Sequence, residues 1–137
     1  MIKDIRHTLK SGKASIGSWL NLGSPLAAEV MAAAGFDWLV VDAEHTSYSM
    51  ENISNMFRAI EARGAIPLAR AWDHSTSTAG RLLDAGAYGI VFPHVSTPEQ
   101  AKHLADSVRY PVPSVRDPLG PVAVQQFSTI IEKPLTI

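Results

Sequence analysis

Asp42-Ala43-Glu44-His45 puts three ionisable side chains into four positions, directly behind the apolar pair Val40-Val41. At the exit of a buried strand, such a group suits acid–base chemistry: an imidazole moves a proton while carboxylates orient or tune it. Strand alternation would place Asp42 and Glu44 on one side and His45 on the other, unless the strand ends there. Arg70 closes a second apolar run, Ile66-Pro67-Leu68-Ala69, where a guanidinium is costly without an anion. Its position fits two partners equally well: Asp42 or Glu44 within the chain, or a carboxylate or phosphate on a ligand. Trp19 and Asn21 end an earlier strand-like run, Asp73 and His74 follow the third, and Pro93-His94 follow a fourth. Asp84 falls in the last turn of a helix-like segment, where the macrodipole disfavours an acid by ~0.3–1 kcal/mol, and reads first as a surface carboxylate. His74 and His94 read as loop histidines without a visible partner, and His7 and His103 as helix-surface ones. Trp19, Trp38 and Trp72 could line a pocket, but core filling is their commoner use. The sequence contains no G-x-G-x-x-G, Walker loop, G-x-S-x-G or H-E-x-x-H, so nucleotide, P-loop and zincin chemistries lack support.

These residues need elements to position them. Strand-like runs are expected at Ser15–Leu22, Asp37–Asp42, Ile66–Trp72 and Gly89–Val95, each short and apolar on both faces, as parallel strands under helices are. The segments between them carry helix punctuation. Ser24-Pro25 supplies an N-cap and an N1 proline, and Gly35 follows the last turn. A second helix opens near Ser49, buries Ile53, Met56, Phe57 and Ile60, and stops at Gly64. A third lies within Ser75–Ala85 and packs Ala79, Leu82 and Leu83. A fourth has Thr97 as N-cap and Gln100 closing a capping box, with Ala101, Leu104, Ala105 and Val108 as its expected buried face. Ile2, Ile5 and Leu9 suggest a short amphipathic helix ahead of the array, ending near Gly12. Four βα units in series accept two architectures. One is an open doubly wound sheet; the other is half of a (β/α)8 barrel, which needs ~250 residues in full. Periodicity alone does not choose. In both, ligands bind at the C-terminal ends of the strands, where the acids, His45 and Arg70 converge.

Composition narrows the partners. The 137 residues suit one domain, and 46% hydrophobic against 18% charged residues can bury a core. Twelve Lys+Arg against thirteen Asp+Glu give a net charge of −1, which offers no basic stripe for nucleic acid and no polybasic membrane patch. Zero cysteines exclude disulfides, thiolate metal sites and cysteine nucleophiles, and suit a reducing cytoplasm. No stretch reaches the ~18 apolar residues of a membrane span, and the N-terminus lacks a signal-peptide core. A cytoplasmic domain is the expectation. Five of the nine prolines fall in the last 27 residues, so 111–137 reads as a Pro-rich tail after a 1–110 βα domain.

The string Ala34-Gly35-Phe36-Asp37-Trp38-Leu39-Val40-Val41-Asp42-Ala43-Glu44-His45 resembles the signature of the HpcH/HpaI aldolases, the class II pyruvate aldolases. So do Pro67-Leu68-Ala69-Arg70, Arg81-Leu82-Leu83-Asp84-Ala85-Gly86-Ala87 and Arg109-Tyr110-Pro111. The likeness runs from about Ile16 to Arg109, more loosely to Phe127, and is absent from Ser128 to Ile137. It implies α/β architecture: a partial (β/α)8 TIM barrel of the phosphoenolpyruvate/pyruvate-domain type, represented by about four N-terminal βα units. It also implies a carbon–carbon lyase performing (retro-)aldol cleavage of 4-hydroxy-2-oxo acids to pyruvate plus an aldehyde. By position, His45 resembles the general base, Arg70 the residue that stabilises the pyruvate enolate, and Asp84 the acid that raises the histidine's basicity. Trp19, Asp42 and Glu44 fall on the rim for substrate and metal-bound water. The resemblance implies a divalent metal (Mg2+, Mn2+ or Co2+) whose carboxylate ligands follow the fifth and sixth strands, beyond this chain. Two alternatives stand beside catalysis by these 137 residues. One is a non-catalytic half-barrel that self-associates as a homo-oligomer or pairs with a second half; the other is a small flavodoxin-like binding domain.

Overall fold

The structure, a computed structural model, describes residues 5–109; the expectations for Ile2 and for 111–137 lie outside them. The order is α1 (Ile5–Lys10), β1 (Gly17–Leu20), α2 (Pro25–Ala33), β2 (Trp38–Asp42), α3 (Met50–Ala62), β3 (Ile66–Arg70), α4 (Thr76–Asp84), β4 (Gly89–Val91) and α5 (Pro98–Ser107). The helices start where side chains can accept their orphan N–H groups. The hydroxyls of Ser24, Ser49, Ser75 and Thr97 accept from Ala27, Asn52, Thr78 and Gln100 respectively, and Gln100 returns its side chain to complete the capping box. After α4 the chain turns sharply into β4 through Gly86, at φ 117°. A side chain there would be strained and would also meet Phe57 Cβ at 3.6 Å.

All strand pairs are parallel and the spatial order is β1-β2-β3-β4. This order decides between the two architectures left open by periodicity. Right-handed crossovers between strands laid down in sequence put every crossover helix on the same face, whereas a doubly wound sheet reverses its strand order to cover both. The four described strands show no reversal, as in a barrel wall. Leu39 and Val41 of β2 and Ala69 of β3 join Ala28 and Ala32 of α2, Ile53, Met56, Phe57 and Ile60 of α3, and Leu82 of α4 in one buried cluster. Strand alternation sends Val40, Asp42, Leu68 and Arg70 to the opposite, barrel-interior face. On that face the Trp38 indole lies over Gly17, where a Cβ would come within 2.0 Å of the ring.

Three expectations shift. β1 and β4 are shorter than the apolar runs that announced them. β4 stops at Val91 because Pro93 has no N–H to give a ladder and His94 takes the left-handed conformation at φ 57°. α5 buries Leu104 alone, while Ala101 and Ala105 are exposed and Val108 is half-buried. Among the described elements it packs chiefly against α4.

Candidate active site

Parallel register sets Asp42 opposite Arg70, and Arg70 opposite Val91. Side chains opposite one another in parallel strands point the same way about 4.8 Å apart, so the carboxylate and the guanidinium meet without any loop to bring them together. The meeting is bidentate. Arg70 Nε donates to Asp42 Oδ1 at 2.9 Å, and Nη2 donates to Oδ2. Asn21 Nδ2, from the turn after β1, donates to Oδ2 at 2.8 Å, and the backbone N–H groups of Glu44 and His45 donate to Oδ1 at 3.1 and 3.3 Å. Those last two bonds wrap the chain around its own carboxylate, which ends β2 and fixes where Glu44 and His45 leave it. Asp42 is fully buried. Burial alone would raise its carboxyl pKa. The hydrogen bonds from Arg70, His45 and Glu44 and the charge of Arg70 outweigh burial and hold it at about 2, against an ordinary 3.8. The Asp42 hydrogen bond correspondingly raises the pKa of Arg70 against the opposing pull of desolvation.

Arg70 retains donors for a ligand. Its Nη1 makes no hydrogen bond or ion pair with the described residues, and its side chain is 23% exposed. The Trp19 ring covers one side of the guanidinium, with its centroid 5.0 Å from Cζ, a cation–π distance. Glu44 stands next to it, only 12% exposed, with Oε2 at 3.3 Å from Arg70 Nε and 3.5 Å from His45 Nε2. That oxygen is buried yet accepts no hydrogen bond of good geometry. The other oxygen, Oε1, lies 3.4 Å from His94 Nε2. His45 and His94 are both open to solvent, at 66% and 83%.

Of the residues singled out in the sequence, Trp19 of β1, Asp42 of β2, Glu44 and His45 just after it, and Arg70 of β3 lie at one end of the sheet. The internal pair and the ligand role of Arg70 are compatible, since Asp42 occupies one edge of the guanidinium and leaves Nη1. Asp84 is elsewhere. It is exposed at the C-terminal end of α4, four residues before Tyr88, whose N–H reaches Pro67 near the start of β3. The rim lies at the other end of the strands, because α4 runs back along them. His94 and His74 have partners that the sequence did not reveal. His74 Nε2 donates to the Pro93 carbonyl at 2.6 Å, and His94 faces Glu44. Asn21 was visible as a strand-end polar residue, but nothing in its spacing pointed to Asp42.

The matching family model, HpcH/HpaI aldolase/citrate lyase, covers residues 15–131. The chain belongs to this family. A "Hydroxypyruvate/pyruvate aldolase" of Deinococcus radiodurans is 37% identical over 111 residues, which are 81% of this chain and 40% of that protein. A "4-hydroxy-2-oxo-heptane-1,7-dioate aldolase" of Salmonella paratyphi C is 33% identical over 111 residues, 81% of this chain and 42% of that protein. A crystal structure of an HpcH/HpaI aldolase/citrate lyase family protein from Burkholderia cenocepacia superposes with a TM-score of 0.72 at 34% identity, over 90% of this chain and 51% of that one. The chain therefore spans about half the length of these relatives. Its four parallel βα units are half of a (β/α)8 barrel of this family. No helix among the described residues is long and apolar enough to cross a membrane.

Proposed function

We propose that this rim takes a proton from C3 of pyruvate, or returns one, and holds the negative oxygen of the enolate between. It would thereby serve the (retro-)aldol cleavage of 4-hydroxy-2-oxo acids to pyruvate plus an aldehyde. The observation that carries this reading is Arg70. It is fixed on one edge by a fully buried carboxylate, backed by Trp19, and left with Nη1 unused beside Glu44, the carboxylate that His45 also faces. A preorganised guanidinium stabilises a developing oxyanion without having to reorient. His45 turns Nε2 toward Glu44, which leaves Nδ1 as the nitrogen that would serve as the base. Names of relatives such as the 4-hydroxy-2-oxo-heptane-1,7-dioate aldolase agree with a small 2-oxo acid as substrate. Within one chain the geometry gives Asp84 no direct part.

The family resemblance implies a divalent metal, Mg2+, Mn2+ or Co2+. The described residues do not fit one. They include no group of three or more His, Cys, Asp or Glu placed to hold an ion, and both oxygens of Asp42 are occupied by donors. A metal would need ligands from outside residues 5–109. The test is pyruvate release from 4-hydroxy-2-oxopentanoate by the purified chain in Mg2+ buffer, followed by a coupled reductase. Turnover that disappears in Arg70→Lys supports the reading; no turnover where a longer relative works rejects catalysis by this chain.

One observation favours a second reading, a half-barrel that pairs. β1 and β4 are open edges among the described strands, and the apolar Ile16, Leu22 and Trp19 are exposed near the first. Association of two copies, or of this chain with a complementary half, would cover both edges. Sedimentation equilibrium decides it: a monomer that melts cooperatively contradicts pairing.

A further inference from the structure

Retro-aldol cleavage moves protons at two places. The 4-hydroxyl must lose one as the C3–C4 bond breaks, and C3 must gain one afterwards. The rim carries two imidazoles on the two oxygens of one carboxylate: His45 Nε2 at 3.5 Å from Glu44 Oε2, and His94 Nε2 at 3.4 Å from Glu44 Oε1. His94 turns Nε2 toward Glu44 and is 83% exposed, so its Nδ1 is open to a molecule on the rim.

His94 is held where it is at a cost to the backbone. It is the one non-glycine residue at positive φ among the described residues. The peptides on both sides are pinned: His74 donates to the Pro93 carbonyl at 2.6 Å, and Ser96 Oγ donates to the His94 carbonyl at 3.2 Å. A strained conformation over-determined by its neighbours is characteristic of functional sites, and surface histidines do not need one. The strain also terminates β4, so the strand gives up ladder bonds to turn this side chain toward Glu44.

We propose that His94 is the second acid–base residue of the site, an inference that rests on the aldolase reading above. His94 Nδ1 takes the 4-hydroxyl proton as C3–C4 breaks. The C–C bonding pair passes to C3 and is delocalised onto the C2 oxygen beside Arg70, while C4–O becomes the aldehyde carbonyl. His45, having taken up a proton from solvent at Nδ1 before the bond breaks, then delivers it to C3, which completes pyruvate. His94 ends the cycle protonated and His45 neutral, and exchange with solvent resets both. In the synthetic direction the roles reverse.

Two reactions on the same preparations of the full chain separate the imidazoles: deuterium exchange into the methyl group of pyruvate, which needs only the base at C3, and cleavage of 4-hydroxy-2-oxopentanoate, which needs both. His94→Asn is the variant of choice because asparagine tolerates the left-handed conformation, and His94→Gln is the second; circular dichroism confirms their folding. The expected result is exchange within about threefold of wild type and a loss of about 10²–10⁴-fold in kcat for cleavage at little-changed KM. His45→Asn should lose both reactions. Equal loss of exchange and cleavage in both His94 variants would reduce His94 to a support for Glu44 and overturn the proposal, as would cleavage at the wild-type rate. A wild-type chain that exchanges no pyruvate protons overturns the enolate reading itself, a result distinct from unimpaired cleavage by His94→Asn.

Discussion

Asp42→Asn probes the centre of the rim. The substitution removes a charge and turns one carboxylate oxygen into a donor. If the amide oxygen stays with the Glu44 and His45 N–H groups, the new NH2 faces Asn21 Nδ2 and Arg70 Nη2, and three donors meet without an acceptor. The flipped amide strands the two backbone N–H groups instead. Breaking one side of a buried pair costs about 3–5 kcal/mol; partial solvent access to Arg70 trims the expectation to about 2–4 kcal/mol. The pH dependence gives an independent magnitude. Asp42 holds its carboxyl at about 2 against 3.8, and at about 1.4 kcal/mol per pH unit this is worth about 2 kcal/mol. Because the folded value is the lower one, that contribution is complete above about pH 5 and is lost as pH falls through 3.8 toward 2. Urea melts of wild type and Asp42→Asn at pH 7 and pH 2 read both numbers. The gap should be about 2–4 kcal/mol at pH 7 and smaller by about 2 kcal/mol at pH 2. A gap under about 1 kcal/mol at pH 7, or one that does not change with pH, would refute the reasoning.

Other substitutions test neighbouring links. Arg70→Lys keeps the charge but loses the fork, so pyruvate methyl exchange should fall about 10²-fold with far-ultraviolet circular dichroism unchanged. Asn21→Ala removes a 2.8 Å bond to the Asp42 carboxylate and should cost about 1–2 kcal/mol in urea denaturation. Gly17→Ala drives a Cβ into the Trp38 ring, lowering stability by about 1–3 kcal/mol and altering tryptophan fluorescence. Thr97→Ala takes away one half of the α5 capping box, for about 1 kcal/mol, and should raise amide exchange in the first turn of α5 alone.

The helix starts were legible because a cap is a local arrangement: a hydroxyl and the N–H three residues on lie within one turn, so Ser24 and Thr97 announce themselves as caps, and the expected openings near Ser49 and Ser75 prove to be capped by those residues. The buried face of α3 was legible for the same reason, since Ile53, Met56, Phe57 and Ile60 follow the helical period. The pair Asp42–Arg70 could be foreseen because two charged residues ending adjacent buried strands have few other partners. Sequence spacing could not choose between a barrel wall and a doubly wound sheet; strand order, a long-range property, does. Nor could it show that His94, at the end of the fourth strand, faces Glu44. That contact depends on one local conformation, the left-handed His94, and on two distant pairings, His74 with Pro93 and Glu44 with His94. The exposed Ala101 and Ala105 of α5 misled for a related reason: periodicity shows which face is apolar, but burial needs something to lie against it.

The most direct test of the rim as an enolate-forming site is the exchange of pyruvate methyl protons for deuterium, followed by proton NMR in Mg2+ buffer with no aldehyde present. The account predicts exchange by the wild-type chain well above the buffer rate and its loss by about 10²-fold or more in His45→Asn. Exchange at the buffer rate in wild type, or undiminished exchange in His45→Asn, would contradict it.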